Sequence, residues 1–175
     1  MGRCLRNNGN CNNVVIRKRC VCWYEAIPVR RKRRCCQNQI EGMSLQLANE
    51  DEQHLPSGCP IVFDQILTKN SCSMCCHKCD GTIEVHACGS YLVDWDVSVE
   101  HSEATGVSFS LEVNGEIEDT SVLPTKSGQL SGRALIQINQ IPSTVRLLNT
   151  TAADVKLSAC SPTAKLRIVT LGIDN

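Results

Sequence analysis

From Pro60 onward the chain alternates apolar and polar residues with a period of two. In the run Tyr91–Val99, the side chains of Tyr91, Val93, Trp95, Val97 and Val99 share one face, and Asp94, Asp96 and Ser98 share the other. That is the pattern of a strand with one face in a core. Val107–Val113 repeats it and runs into Asn114-Gly115, whose residues tolerate the positive φ angles of a tight hairpin turn. Glu116–Val122 is the return strand. Gly81–His86 alternates too, and Ile61-Val62-Phe63 is a short apolar β-type run. Gly128 and Gly132 punctuate the next connection, ahead of Arg133–Ile141 with Ala134, Leu135, Ile136, Ile138 and Ile141 apolar. Pro142 ends that strand, and Thr144–Asn149, Val155–Ala159 and Ala164–Leu171 follow. No helical period appears after residue 60. About ten short strands separated by turn signals predict an all-β fold, an antiparallel sandwich or jelly roll.

Before Pro60 the pattern is different. Residues 1–57 show little periodicity, open on a turn-prone Asn-rich stretch, and contain one possible short helix within 40–55. Pro56-Ser57-Gly58 reads as a break. It divides the chain into an N-terminal arm, 1–57, and a β domain, 58–175. Charge follows the same division. Residues 1–34 carry ten basic side chains against a single acid, Glu25, whereas residues 89–175 carry six basic and ten acidic ones. A formal net charge of zero conceals this asymmetry. The densest basic run, Arg30-Arg31-Lys32-Arg33-Arg34, reads as a segment that docks on an acidic surface. Glu112, Glu116, Glu118 and Asp119, around one hairpin, are candidates for that surface. Nucleic-acid binding, with Trp23 and Tyr24 stacking on bases, is the weaker reading.

Composition adds one fact that changes the picture. Of 175 residues 13 are cysteine, and 12 of these lie between Cys4 and Cys88. Reduced cytosolic enzymes rarely carry so many thiols, so the expected roles are disulfide cross-linking or metal binding. The opening MGRCLRNNGNCNN has no apolar signal-peptide core, and no apolar stretch approaches the ~20 residues of a membrane helix. A chain that reaches an oxidising place without a secretion signal would have to be released by lysis of its cell.

The cysteines favour disulfides. Cys72-x-x-Cys75 and Cys76-x-x-Cys79 are formally two zinc-type pairs, and Cys72, Cys75, Cys76 and Cys79 are the alternative zinc ligands. However, the pairs abut, where zinc ribbons need an intervening loop of about ten residues or more. A bond between the adjacent Cys75 and Cys76 would be strained, so a vicinal pair more naturally joins two different partners. The odd total leaves at least one thiol to pair between chains. The candidates for intermolecular disulfides are Cys4, Cys11, Cys20, Cys22, Cys35, Cys36, Cys59, Cys72, Cys75, Cys76, Cys79 and Cys88. No catalytic residue is assigned: His54, His77, His86 and His101 sit in no recognisable nucleophile or metalloprotease context. No cofactor is expected. Asp94 and Asp96 have calcium-compatible spacing but read more simply as a solvated strand face. Phe63, Tyr91, Trp95 and Phe109 are the candidates for the core or for a subunit interface.

The ordered set of segments carries a resemblance. IVFDQIL, GTIEVHACGSYLVDWDVSV, GVSFSLEVNGEIEDTSV, SGQLSGRALIQI, VRLLNTT and AKLRIVTLG resemble the trimeric jelly-roll domain of the tumour necrosis factor and complement globular-head superfamily. The variety most similar is the one that ends bacterial collagen-like exosporium proteins. The resemblance covers about residues 59–175. It implies a homotrimer of ten-strand protomers that works in display, adhesion or fibre building rather than catalysis. There is no Gly-X-Y stalk before the domain, and the basic, Cys-rich arm stands in its place. That arrangement is similar to spore-appendage subunits, in which a connector with paired cysteines joins successive subunits through disulfides.

The reading is then a structural protein on the spore surface, outside the cell, with itself as main partner and a spore-coat anchor or tip protein as a further one. Trimers would stack head to tail, because a heterologous contact that does not close makes filaments. A 57-residue arm could span roughly 60 Å or more even when partly folded. The alternative is a zinc- or nucleic-acid-binding protein that works through its arm and uses the β domain only to oligomerise.

Overall fold

The computed structural model describes residues 40–48, 53–159 and 162–173. Twelve strands are formed: β1 (Gly42–Leu47), β2 (Gln53–Leu55), β3 (Gln65–Asn70), β4 (Met74–His77), β5 (Thr82–Val85), β6 (Gly89–Ser102), β7 (Val107–Val113), β8 (Glu116–Leu123), β9 (Gly128–Ile138), β10 (Ser143–Asn149), β11 (Val155–Leu157) and β12 (Ala164–Ile173). They build two antiparallel sheets. One runs β2-β11-β6-β12-β1-β3, with β9 on the other side of β6; the second runs β4-β5-β10-β7-β8. The all-β jelly roll expected from the alternation is the fold observed.

The inward faces are those the period of two selects. Tyr91, Val93, Trp95, Val97 and Val99 of β6 are buried, as are Leu166 and Ile168 of β12. They meet Val107, Phe109 and Leu111 of β7, Val145 and Leu147 of β10, and Ile83 and Val85 of β5. Each fully buried apolar side chain contributes about 1.5–3 kcal/mol. Phe63, Tyr91, Trp95 and Phe109 all lie in this protomer core, so none of the four is presented to a neighbouring subunit. The β7–β8 turn forms at Asn114-Gly115 with φ angles of 54° and 92°. The Asn114 side chain locks it by accepting from the Thr144 N–H and donating to Ser143 Oγ.

Four features differ from the sequence reading. First, residues within 40–55 form strands rather than a helix. β1 pairs with β12 and with β3, and β2 pairs with β11. Met43, Leu45 and Leu47 alternate into the core, so the β fold reaches back to Gly42 and crosses the expected boundary at 57/58. Second, Ile61 and Phe63 are buried, but the run lies outside any strand. Ile61 N donates to Leu147 O and Pro60 bridges Leu148, which ties the segment to β10 without a ladder. Third, Gly132 does not punctuate a connection but sits inside β9, directly opposite Trp95. A Cβ there would fall well inside 3.0 Å of the indole ring and of Ser121 Oγ. Only glycine leaves room for Trp95 between β9 and β8. Fourth, the described residues form twelve strands where about ten were expected, because β1, β2, β3 and β4 form ahead of the segments whose alternation predicts strands.

Candidate functional site

Five of the six described cysteines lie along the β4–β5 edge of the smaller sheet and the turns beside it (the thiol corner). Cys72 precedes β4, Cys75 and Cys76 lie on it, Cys79 follows it, and Cys88 follows β5. β4 is the terminal strand of its sheet. Cys72 and Cys75 are exposed, and Cys76, Cys79 and Cys88 are half-buried.

The vicinal pair is divided by strand geometry. Along β4, Met74 and Cys76 turn toward the core, and Cys75 and His77 turn outward. Burial pushes the Cys76 thiol up to about 11. Cys59 lies elsewhere and is of a different kind. It is almost fully buried and disulfide-bonded within this single chain, so it is no longer a candidate for bonding a second subunit. Cys4, Cys11, Cys20, Cys22, Cys35 and Cys36 lie outside the described residues, as do Cys160 and the basic run Arg30–Arg34 with Trp23 and Tyr24.

On the outward face of the corner, Glu84 stands directly across from Cys75. Glu84 Oε2 lies 3.3 Å from His77 Nε2 and 3.3 Å from His86 Nε2. The His77 Nε2 atom is buried and has no aligned hydrogen-bond partner, so its relation to Glu84 is one of proximity. Sequence reading weighed His77 and His86 but missed Glu84, because only the β4–β5 register brings these three together. The zinc alternative loses its geometry here. Consecutive residues on one strand point to opposite faces, so Cys75 and Cys76 cannot converge on one ion with Cys72 and Cys79. Among the described residues no group of three or more His, Cys, Asp or Glu is placed to hold a metal.

The corner is bolted to the start of the β fold. Glu41 accepts hydrogen bonds from Ser71 Oγ and Ser73 Oγ, each at 2.6 Å, which flank Cys72. Asn70 Nδ2 donates to Ile40 O. Partial burial raises the Glu41 carboxyl, but the two hydroxyls and the backbone N–H groups of Ser73 and Cys72 outweigh it and hold the group below its ordinary value. Glu41, one residue before β1, therefore sits beside Cys72.

A second surface lies on the outer face of the larger sheet. Leu135, Leu92 and Val169 face one another in register across β9, β6 and β12. Leu135 is 67% exposed, and Leu171 and Ile173 are exposed at the end of β12. The neighbouring rows are polar: Arg133 pairs with Asp94 beside Arg167, and Ser131 donates to Asp96 beside Lys165. Asp94 and Asp96 thus serve ion pairing and hydrogen bonding across strands. Of the acidic hairpin residues, Glu112 is buried and bound by Arg146, which leaves Glu116 and Glu118 exposed and Asp119 half-exposed.

Chain order and sheet order together invite comparison with solved folds. The chain aligns with an Eiger TNF from S. frugiperda at TM-score 0.65 and 15% identity, covering 79% of this chain and 96% of that one. Murine APRIL aligns at 0.62 and 13%, covering 76% and 100%. The globular domain of zebrafish complement 1qA protein aligns at 0.59 and 13%, covering 78% and 100%. The fold is a TNF/C1q-like jelly roll. No family model and no curated protein matches the sequence. Identities this low relate the TNF/C1q-like architecture and leave the chemistry of the thiol corner to be argued from this chain.

Proposed function

We propose that the chain is a structural, self-assembling subunit of a disulfide-cross-linked extracellular fibre, of the kind that forms spore appendages or exosporium filaments. The observation that carries this reading is the apolar row Leu135–Leu92–Val169 on an outer sheet face, with Leu171 exposed two residues beyond Val169. An outward row of large aliphatic side chains crossing three strands is the mark of a surface that is covered in the working assembly. The adjacent row Arg133–Asp94–Arg167 alternates in sign, so a second copy can match it while burying the aliphatic row. TNF/C1q-like jelly rolls are associated with homotrimers, and a symmetric trimer that covers this face is the assembly we propose.

A closed trimer stops growing unless something links it to the next. The cysteines of the corner, together with the six between Cys4 and Cys36, supply that link in this reading. The residues before Gly42 act as the connector, with their basic run facing the acids of a neighbouring subunit. A spore-coat anchor or a tip protein would terminate the fibre.

The test uses the full chain. Under reducing conditions, sedimentation velocity should give a trimer for the wild type and a folded monomer for the double variant Leu135→Asp, Val169→Asp. Without reductant, the wild type should form a ladder on denaturing gels that collapses when reductant is added, and negatively stained samples should contain filaments. A wild-type monomer under reducing conditions, or a discrete species without reductant, would overturn the proposal.

A further inference from the structure

The two cysteines of the vicinal pair have opposite surroundings. Cys75 is exposed on an edge strand, so a partner can approach it from the open side of the sheet. Glu84 is its direct cross-strand partner, and such partners have Cβ atoms ~4.5–5.5 Å apart, with diagonal neighbours at ~7–8 Å. His77 is two residues from Cys75 on β4, and His86 is two residues from Glu84 beyond β5. Both imidazoles therefore meet the carboxylate that stands directly opposite the thiol, each at 3.3 Å from the same oxygen. Cys76, half-buried, packs against the core on the other face. Pointing apart, the two sulfurs cannot bond to each other without rebuilding the strand.

We infer that Cys75 is the thiol through which this corner exchanges with a disulfide carried by a second copy of the chain, and that Cys76 takes no part. The second-copy partner rests on the covalent-assembly reading above; the choice of Cys75 over Cys76 does not. The step balances without an added oxidant. Cys75 gives its proton to a flanking imidazole, and its thiolate attacks one sulfur of the incoming disulfide. The Cys75–sulfur bond forms as the old disulfide bond breaks, and the displaced sulfur leaves as a thiolate that takes up the proton. Cys76 is excluded twice, by its inward direction and by its chemistry. A thiol raised from 9.0 to about 11 carries roughly a hundredth of the thiolate of an ordinary one at neutral pH.

The experiment is a brief alkylation of the native, reduced full chain with iodoacetamide, read by fragment mass spectrometry that separates the two adjacent residues. Cys75 should label about tenfold faster than Cys76 or more, and the difference should vanish in guanidinium. An aromatic disulfide reagent should leave its mixed disulfide on Cys75. Equal or faster labelling of Cys76 in the native chain overturns the inference. For the partner, Cys76→Ala should keep the reductant-sensitive multimers of the wild type and Cys75→Ser should lower their yield. Multimers of Cys75→Ser at wild-type yield would overturn the second-copy exchange. Selective labelling of Cys75 in a wild type that forms no multimers supports the selectivity and counts against the assembly reading alone.

Discussion

Gly132→Ala places a methyl group where the Trp95 ring lies. The added Cβ would approach the Trp95 Cζ2 and Cε2 atoms and Ser121 Oγ well inside 3.0 Å. Trp95 is 1% exposed and among the largest buried side chains, so its ring has no empty space to enter. Either the indole leaves its rotamer or β9 moves away from β8. Overpacking of this kind costs about 1–3 kcal/mol, and a rigid ring rather than a flexible chain end puts the variant near the top of that range. For a protein of this size, 2–3 kcal/mol lowers the thermal midpoint by roughly 4–12 °C. Gly172→Ala is the control, because nothing lies within 4 Å of its added Cβ; it should shift the midpoint by little. The assay is urea and thermal unfolding under reducing conditions at one fixed protein concentration, since association would otherwise contribute. The near-UV circular dichroism of the indole is the local readout. A Gly132→Ala variant within about 0.5 kcal/mol of wild type, with an unchanged aromatic signal, would refute the packing argument.

Removing Arg146 as Arg146→Leu leaves the buried Glu112 carboxylate without its partner, and urea unfolding should show a loss of about 3 kcal/mol or more; restoring the balance with Glu112→Gln in the same chain should recover part of it. Gly115→Val has open space around it but must hold φ near 92°, so chemical denaturation should register backbone strain of about 1–3 kcal/mol. Glu41 is held below the ordinary carboxylate value by Ser71 and Ser73 against the opposing effect of burial. Its contribution is therefore present above the unfolded pKa and lost as pH falls through the lower folded one. Because the group is largely solvent-screened, Glu41→Gln should cost only about 0.5 kcal/mol at pH 7, and the thermal midpoints of variant and wild type should converge in acid.

How much of this could be read along the chain depends on the range of the interaction. Period-two alternation is local, so the faces of β6 and β7 and the Asn114-Gly115 hairpin follow from adjacent residues. The same alternation is present in Met43, Leu45 and Leu47, yet three apolar positions in a short run set beside acidic, helix-compatible residues do not separate strand from helix. Pairing with β12, about 120 residues later, decides it. Ile61–Phe63 shows the reverse case: the composition is that of a strand, but its single bridge and one hydrogen bond to β10 give burial without a ladder.

For the cysteines, the sequence by itself determined their number, their crowding before residue 89 and the adjacency of Cys75 to Cys76. It could not rank them, because a thiol's reactivity is set by what surrounds the sulfur. Only the tertiary structure turned Cys75 outward beside Glu84, His77 and His86, pressed Cys76 into the core, committed Cys59 to a buried disulfide, and fastened residue 41 beside Cys72. Direction on a strand follows from parity alone, but which direction is solvent follows from where the other sheet lies.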